Sequence, residues 1–236
     1  MKKQNKQDRE LKEMSTVAVK RAYDYIRDMA IDFSIHPGEQ INETEVASHL
    51  EMSRVPVREA LNRLLVGGFV AFDPGRGFFC RKFSESEVRE LYAVRLDLEI
   101  GTVKQACQRG NEHDIASILS DWKQVAAIRS SVSQDELIQL DELFHMRIAA
   151  LSGNMERIFV LQNIFERIRF VRKINIEQES RRDTFVDEHV GIIEAILKRD
   201  ETLATELLEY HLGVNSQELK ENISMGMLRI YAADII

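Results

Sequence analysis

The sequence predicts a mainly α chain in two parts: a small helical head closed by a β-hairpin, then an all-α antiparallel helical bundle. Three observations predict this. Proline and glycine are scarce, three and eleven among 236 residues, so few residues interrupt long helices. Apolar spacing is helical almost throughout, except near residues 69–81, where two short β-prone runs flank a Gly/Pro turn. Charge is unevenly divided. Residues 1–83 carry fourteen Lys and Arg against twelve Asp and Glu, and the remainder carries eighteen against twenty-seven. A slightly basic head on an acidic body points to two domains with different partners.

Composition narrows the class. At 44% hydrophobic and 30% charged the chain is of ordinary globular type. It has no run of eighteen apolar residues, so no membrane span is expected. The start is basic, but no apolar stretch follows, unlike a secretory signal. Cys80 and Cys107 form neither a disulfide framework nor a CxxC pair, in keeping with a reducing cytoplasm.

Residues 1–14 are polar and charged and read as a loose arm. Val17, Tyr23, Ile26 and Ala30 then recur at helical spacing, predicting a helix over about 16–33 that His36-Pro37-Gly38 breaks. Asn42 can cap a second helix, with Glu45 in the capping-box position and Val46, Ala47 and Leu50 as its apolar stripe. After a tight turn, Ser53 offers the next N-cap. Pro56 sits in the first turn, where its missing N–H does little harm. Val57, Ala60, Leu61, Leu64 and Leu65 are expected to face a core, and Gly67-Gly68 ends the helix. Phe69–Phe72, Asp73–Gly77 and Phe78–Arg81 read as strand, turn, strand. Three helices and a small hairpin make a winged helix-turn-helix, spanning 15–83.

Ser84 and Glu87 form a second capping box, which opens the bundle over 84–225. Helices are expected near 85–109, 112–129, 134–151, 155–179, 183–199 and 201–221, with 226–236 as a tail.

In a helix-turn-helix the second helix fits the major groove. Its first turns here carry Arg54, Val55, Pro56 and Arg58. The arginine fork matches the O6 and N7 acceptors of guanine. Arg76, between two glycines at the hairpin tip, can reach the minor groove or a phosphate. A three-helix fragment with ordinary surface arginines would show the same residues. In the second part, Asp141 and His145 are four apart and share a helix face, while His189 and His211 fall in the last two expected helices. One carboxylate and three imidazoles suit a divalent metal. From spacing alone, such an Asp/His pair is more often a solvated or core hydrogen-bonded pair than a metal site. Arg95 can hold a carboxylate or pair with Glu99 one turn along. Trp122, Phe159, Phe165 and Phe170 read as packing residues, and Arg172-Lys173 as a solvated face.

Longer stretches carry a resemblance. Pro37-Gly-Glu-Gln-Ile-Asn-Glu43, Glu45-Val-Ala47 and, from Ser53 to Leu64, Ser-Arg-Val-Pro-Val-Arg-Glu-Ala-Leu-Asn-Arg-Leu resemble the GntR family of bacterial transcription regulators over about 16–83. The resemblance implies Arg54 and Arg58 as base readers, with Gly75 and Arg76 in the wing. Glu51 stands where members commonly have glycine in the interhelical turn, and Thr44 where some place a DNA-contacting arginine. Further on, Tyr92-Ala-Val-Arg95 with Leu98-Glu99, Asp141-Glu-Leu-Phe-His145 with Leu151-Ser-Gly-Asn154, Glu188-His-Val-Gly-Ile-Ile-Glu-Ala-Ile196 with Arg199-Asp200, and Tyr210-His-Leu212 resemble the FadR-type C-terminal ligand-binding domain, called FCD, over about 85–221.

All four metal positions of that family are filled, by Asp141, His145, His189 and His211. The resemblance thus implies a divalent metal, zinc first, with nickel, manganese or iron also chemically reasonable. It further implies a small organic-acid effector with Arg95 as partner, and a homodimer on a palindromic double-stranded operator. A metal-dependent enzyme acting on a small acid, and a regulator with a purely structural metal, are the competing readings.

Overall fold

The computed structural model describes residues 2–177, 179–213 and 216–232, with side chains over 15–177, 184–213 and 216–231. The chain divides into two compact units, residues 1–83 with 229–236, and residues 84–228. Among the described residues no helix is long and apolar enough to cross a membrane.

The first unit is the expected winged helix-turn-helix: α1 (Lys2–Ile31), α2 (Glu43–His49), α3 (Arg54–Gly67) and an antiparallel hairpin of β1 (Val70–Asp73) and β2 (Gly77–Cys80). Helix α1 starts well before residue 16. Residues 2–14 hold Lys, Gln, Glu, Arg and Leu with no Gly or Pro, all good helix formers, so the helix continues where an arm was expected. The buried face of α1 is Val19, Ala22, Ile26 and Ala30, while Val17 is exposed. On α3, Val57, Ala60, Leu61 and Leu64 are buried, but Leu65, about 100° round from Leu64, is exposed. These side chains and Ile41, Phe69, Val70, Phe78 and Cys80 form one core.

Asn42 caps α2 through the Thr44 and Glu45 N–H groups, at 3.0 and 3.3 Å. Glu45 reaches back to the Asn42 side chain rather than to its backbone. The interhelical turn places Glu51 at φ 51°, the left-handed conformation for which glycine is the usual choice. Register in the hairpin runs from Val70 opposite Cys80 to Asp73 opposite Gly77. Residues 38–41 extend it: Ile41 N donates to Phe78 O at 2.8 Å and Cys80 N to Glu39 O at 2.9 Å.

The second unit is helical: α4 (Glu85–Arg109), α5 (Glu112–Ala127), α6 (Gln134–Leu151), α7 (Met155–Glu177), α8 (Glu179–Leu197), α9 (Glu201–Leu212) and α10 (Gln217–Ala232). Ser133 and Glu136 close a full capping box on α6. Ser180, where a break was expected, lies within α8, and residue 178 is outside the described residues. The single helix expected over 201–221 is in fact two. Gly213 takes φ 52° and caps α9, and Ser216 Oγ accepts from Leu219 N to begin α10. Residues 226–232, expected in a tail, belong to α10. Arg199, itself at φ 60°, donates to the terminal carbonyls of α4 at Ala106, Cys107 and Gly110. That bond set satisfies acceptors the helix end leaves open and fixes α4 to the α8–α9 turn. The core runs through α4, α5, α6, α8 and α9, with Trp122, Phe144, Ile192 and Ile196 among its side chains. Phe159, expected to pack, is 74% exposed, because it lies on the face of α7 opposite Leu161 and Phe165.

Candidate DNA interface and metal centre

The start of α3 presents a polar and cationic edge. Arg54, Val55 and Arg58 are exposed and Pro56 is half-buried. Val57, Ala60 and Leu61 anchor the same helix in the core, so the exposed residues ride on a fixed element. Ser53 stands at the N-cap with no side-chain cap, which leaves the first-turn N–H groups to an outside acceptor. Arg54 reaches Glu43 at 3.5 Å, a loose contact that does not immobilise it. At the hairpin tip, Gly75 and Gly77 have φ of 86° and 97°, values that favour glycine. Between them Arg76 lies over the Phe79 ring at 4.9 Å and 3.2 Å from Asp73. Gln40 donates to the Arg76 carbonyl and steadies the tip. Arg63 pairs with Glu59 on the same helix and is structural.

In the second unit Asp141 and His145 from α6, His189 from α8 and His211 from α9 converge. One ligand atom of each lies within 4.8 Å of every other. Among the described residues this is the one group of three or more potential ligands so arranged. Asp141 Oδ1 is 3.3 Å from His145 Nε2, 3.0 Å from His189 Nε2 and 3.9 Å from His211 Nε2. The Nε2 atoms of His145 and His211 are 3.4 Å apart. Four ligands about 2.1 Å from one tetrahedral ion would lie about 3.4 Å from each other, so the donor set fits a first-row divalent ion. All four residues are buried.

The outer contacts orient the donors. Each imidazole directs Nδ1 at an oxygen: His145 at Glu99 Oε2 (2.5 Å), His189 at Phe185 O (2.6 Å) and His211 at Glu188 Oε2 (2.8 Å). Those acceptors fix the Nδ1–H tautomer and turn the three Nε2 lone pairs inward. Arg172 holds the other Asp141 oxygen, Oδ2, and donates to Glu142 at 3.0 Å. Burial alone would raise the Asp141 carboxyl, but Arg172 and the imidazoles outweigh it and hold it well below the usual carboxylate range. Glu99 is likewise held at about 2, His145 and Arg95 overcoming its burial. Burial lowers His189, and burial with the nearby His189 pushes His211 down to about 4. Burial also opposes protonation of His145, yet Glu99 and Asp141 prevail and raise it. Protonation is thus disfavoured at His189 and His211 and favoured at His145, beside an ionised carboxylate.

Arg95, the expected effector partner, is bound to Glu99 at 2.6 Å and lies 3.0 Å from His145 Nε2. Of the two alternatives raised by the sequence the Glu99 pair is formed, and Arg95 also lines a cavity of about 430 Å³ beside Asp141, Arg172 and His211. The guanidinium groups of Arg95 and Arg172 lie over the ring of Phe165, at 4.6 and 5.0 Å. Arg172 is a correction. It is no solvated face but a buried counter-ion of Asp141. Its signal was available, as it follows Phe165 and Ile168 on the buried stripe of α7. Glu99 and Glu188 also escaped the sequence reading as site residues, though Glu188 precedes a ligand and Glu99 follows Arg95 by one turn. Arg147 pairs with Asp121 and Ser117, away from the cavity. Asn154 caps α7 through Arg157 N.

Known proteins agree with this architecture. Residues 18–80 match the family described as bacterial regulatory proteins, gntR family, and residues 90–214 match the FCD domain. The chain is 36% identical over 203 residues to the Nta operon transcriptional regulator of Aminobacter aminovorans, covering 86% of this chain and 95% of that one. This chain belongs to the GntR family of transcription regulators. A more distant relative is the HTH-type transcriptional repressor RspR of Escherichia coli (strain K12), 24% identical over 201 residues, covering 85% and 86% of the two chains. The fold is shared with E. coli McbR/YncC, with a TM-score of 0.69 at 17% identity over 90% of this chain and 98% of that one. It is also shared with a putative GntR regulator from Rhodococcus sp. RHA1, with a TM-score of 0.66 at 22% identity over 88% and 97%. The GntR regulator is thus a DNA-binding transcription regulator with an FCD effector-binding domain, and its relatives are regulators, not enzymes.

Proposed function

We propose that this regulator, of the FadR type, binds a divalent metal through Asp141, His145, His189 and His211 and senses a small carboxylate in the cavity beside it. The observation that carries the reading is the convergence of three imidazole Nε2 atoms on Asp141 Oδ1, each imidazole braced at Nδ1. Zinc suits the donor set best, and nickel, manganese or iron also accept it. A bound cation would supply a positive anchor for an acid. Arg95 would then leave His145 Nε2 and offer its fork to the effector carboxylate while keeping Glu99 at Nε. An adjoining cavity with two arginines favours a sensing role over a purely structural ion.

In the head, Arg54 and Arg58 read guanine edges, Val55 meets a thymine methyl, and Pro56 sets the first turn of the reading helix. Gly75 lets the wing approach the backbone closely, and Arg76 enters the minor groove or contacts a phosphate. Two heads on a palindrome bind far more tightly than one. The homodimer this needs is supported by apolar side chains exposed on α4 and α7, namely Val94, Met155, Phe159 and Val160. A bacterial protein working on chromosomal operators acts in the cytoplasm.

The test is metal content of the purified protein beside Asp141→Ala and His189→Ala, with operator binding measured against a panel of organic acids. The reading expects about one tightly held ion per chain, lost in both variants, and an acid that changes operator affinity only in the metal-loaded protein. A metal-free protein after growth in replete medium would remove it. Metal without any acid response would leave the ion a structural part.

A further inference from the structure

The cavity is larger than a carboxylate anchor needs, and it is polar in a second place. Its volume of about 430 Å³ corresponds to about fourteen waters at the ~30 Å³ each takes in the liquid. Arg95 and Arg172 mark the anchor. One turn beyond Arg172 on α7 stands Asn175, whose side-chain oxygen accepts from Asn222 Nδ2 of α10 at 3.3 Å. Asn222 is only 2% exposed, and both amides line the cavity. So does Ser216, whose Oγ accepts from Leu219 N at 3.0 Å and whose O–H can still donate. Tyr92, Ile176 and Leu219 add apolar surface to the wall. Glu209 and Glu218 also line the cavity and set carboxylates against a second anion.

Resting on the effector reading above, we propose that the cavity takes an acid with one carboxylate whose tail ends in a hydroxyl or amino group. The carboxylate goes to the arginines and the metal. The tail crosses the apolar wall, and its terminal group bonds to Asn175, Asn222 or Ser216. A plain alkyl acid offers these polar groups no bond and so forgoes that contribution. A dicarboxylate brings its second charge among Glu209 and Glu218. Ser216 and Asn222 of this second region lie beyond residue 214, where the FCD match ends.

The experiment is calorimetry with the zinc-loaded full chain. The probes are butyrate and hexanoate, their ω-hydroxy and ω-amino derivatives, and the dicarboxylates succinate and adipate. The expected result is that at least one ω-hydroxy or ω-amino acid binds about fivefold to tenfold more tightly than both the alkyl acid and the dicarboxylate of its length. Asn222→Leu should erase that advantage. If this variant does not fold, Asn175→Leu, at a half-buried position, reads the same contact. Equal or better binding of the alkyl acid or the dicarboxylate would overturn the tail assignment alone. Binding by no acid at all would overturn the carboxylate reading on which it rests, and the tail assignment with it.

Discussion

Arg54 in the head and Arg172 in the bundle carry the same charge, and the fold treats them oppositely. Arg54 has a side chain 61% exposed and one loose contact to Glu43. Arg172 is 4% exposed and bound to both Asp141 and Glu142. The difference follows from the partners each surface serves. DNA phosphates and base edges arrive from solvent, so the head keeps its cations outside on a helix anchored from behind. A small ligand must be surrounded, so the bundle buries its charges and has to balance each one internally. In the head, then, function and stability are separable by mutation. In the bundle they are coupled.

The largest effect follows directly. Arg172→Met should cost about 3–5 kcal/mol of bundle stability, because it leaves the Asp141 carboxylate buried without its cation. Arg54→Ala should change stability by less than about 0.5 kcal/mol. Thermal unfolding of the two variants side by side makes the comparison. Equal melting temperatures would mean that the Arg172 pair is solvated and the contrast is wrong. For Arg54→Ala and Arg58→Ala the loss appears instead in operator affinity, about 1–3 kcal/mol each. A uniform loss across all DNA sequences would make these residues phosphate contacts rather than base readers.

Metal removal tests the bundle from the other side. If the four buried residues hold an ion, they would do so only when folded, so chelation should lower the melting temperature of the bundle and leave the head's transition in place. The chain carries one tryptophan, and Trp122 stacks on His189 with ring centroids 4.0 Å apart and planes 3° from parallel. Zinc added to the stripped protein should therefore change Trp122 emission up to one ion per chain, with no response in His189→Ala. A full response in that variant would place the ion elsewhere.

What the sequence made legible tracks the same contrast. The head could be read residue by residue, because caps, turn glycines and surface arginines act locally: Asn42, Gly75 and Arg54 all stand where their local chemistry put them. The cluster of Asp141, His145, His189 and His211 was readable only through resemblance, since nothing in their spacing shows that α6, α8 and α9 converge. Arg172 was misread because a charged residue on a long helix looks solvated until its partner on another helix is known. The break at Gly213 was visible as a glycine, yet helical apolar spacing on both sides hid it. That break matters, because Ser216 and Asn222, which follow it, line the cavity.

The smallest predicted effect concerns the one place where the head carries local strain in a functional element. Glu51 holds φ 51° between the two helices of the DNA-reading motif, and a side chain there costs about 1 kcal/mol relative to glycine. Glu51→Gly removes that cost but adds chain entropy to the unfolded state, which gives part of the gain back. The net expectation is a head stabilised by up to about 1 kcal/mol, visible as slower amide exchange in α2 and α3. The bundle should show no change, since its transitions depend on buried ion pairs that this turn does not touch. A destabilised head would mean that the Glu51 side chain compensates its backbone. The head would then resemble the bundle in tying an exposed charge to its own stability.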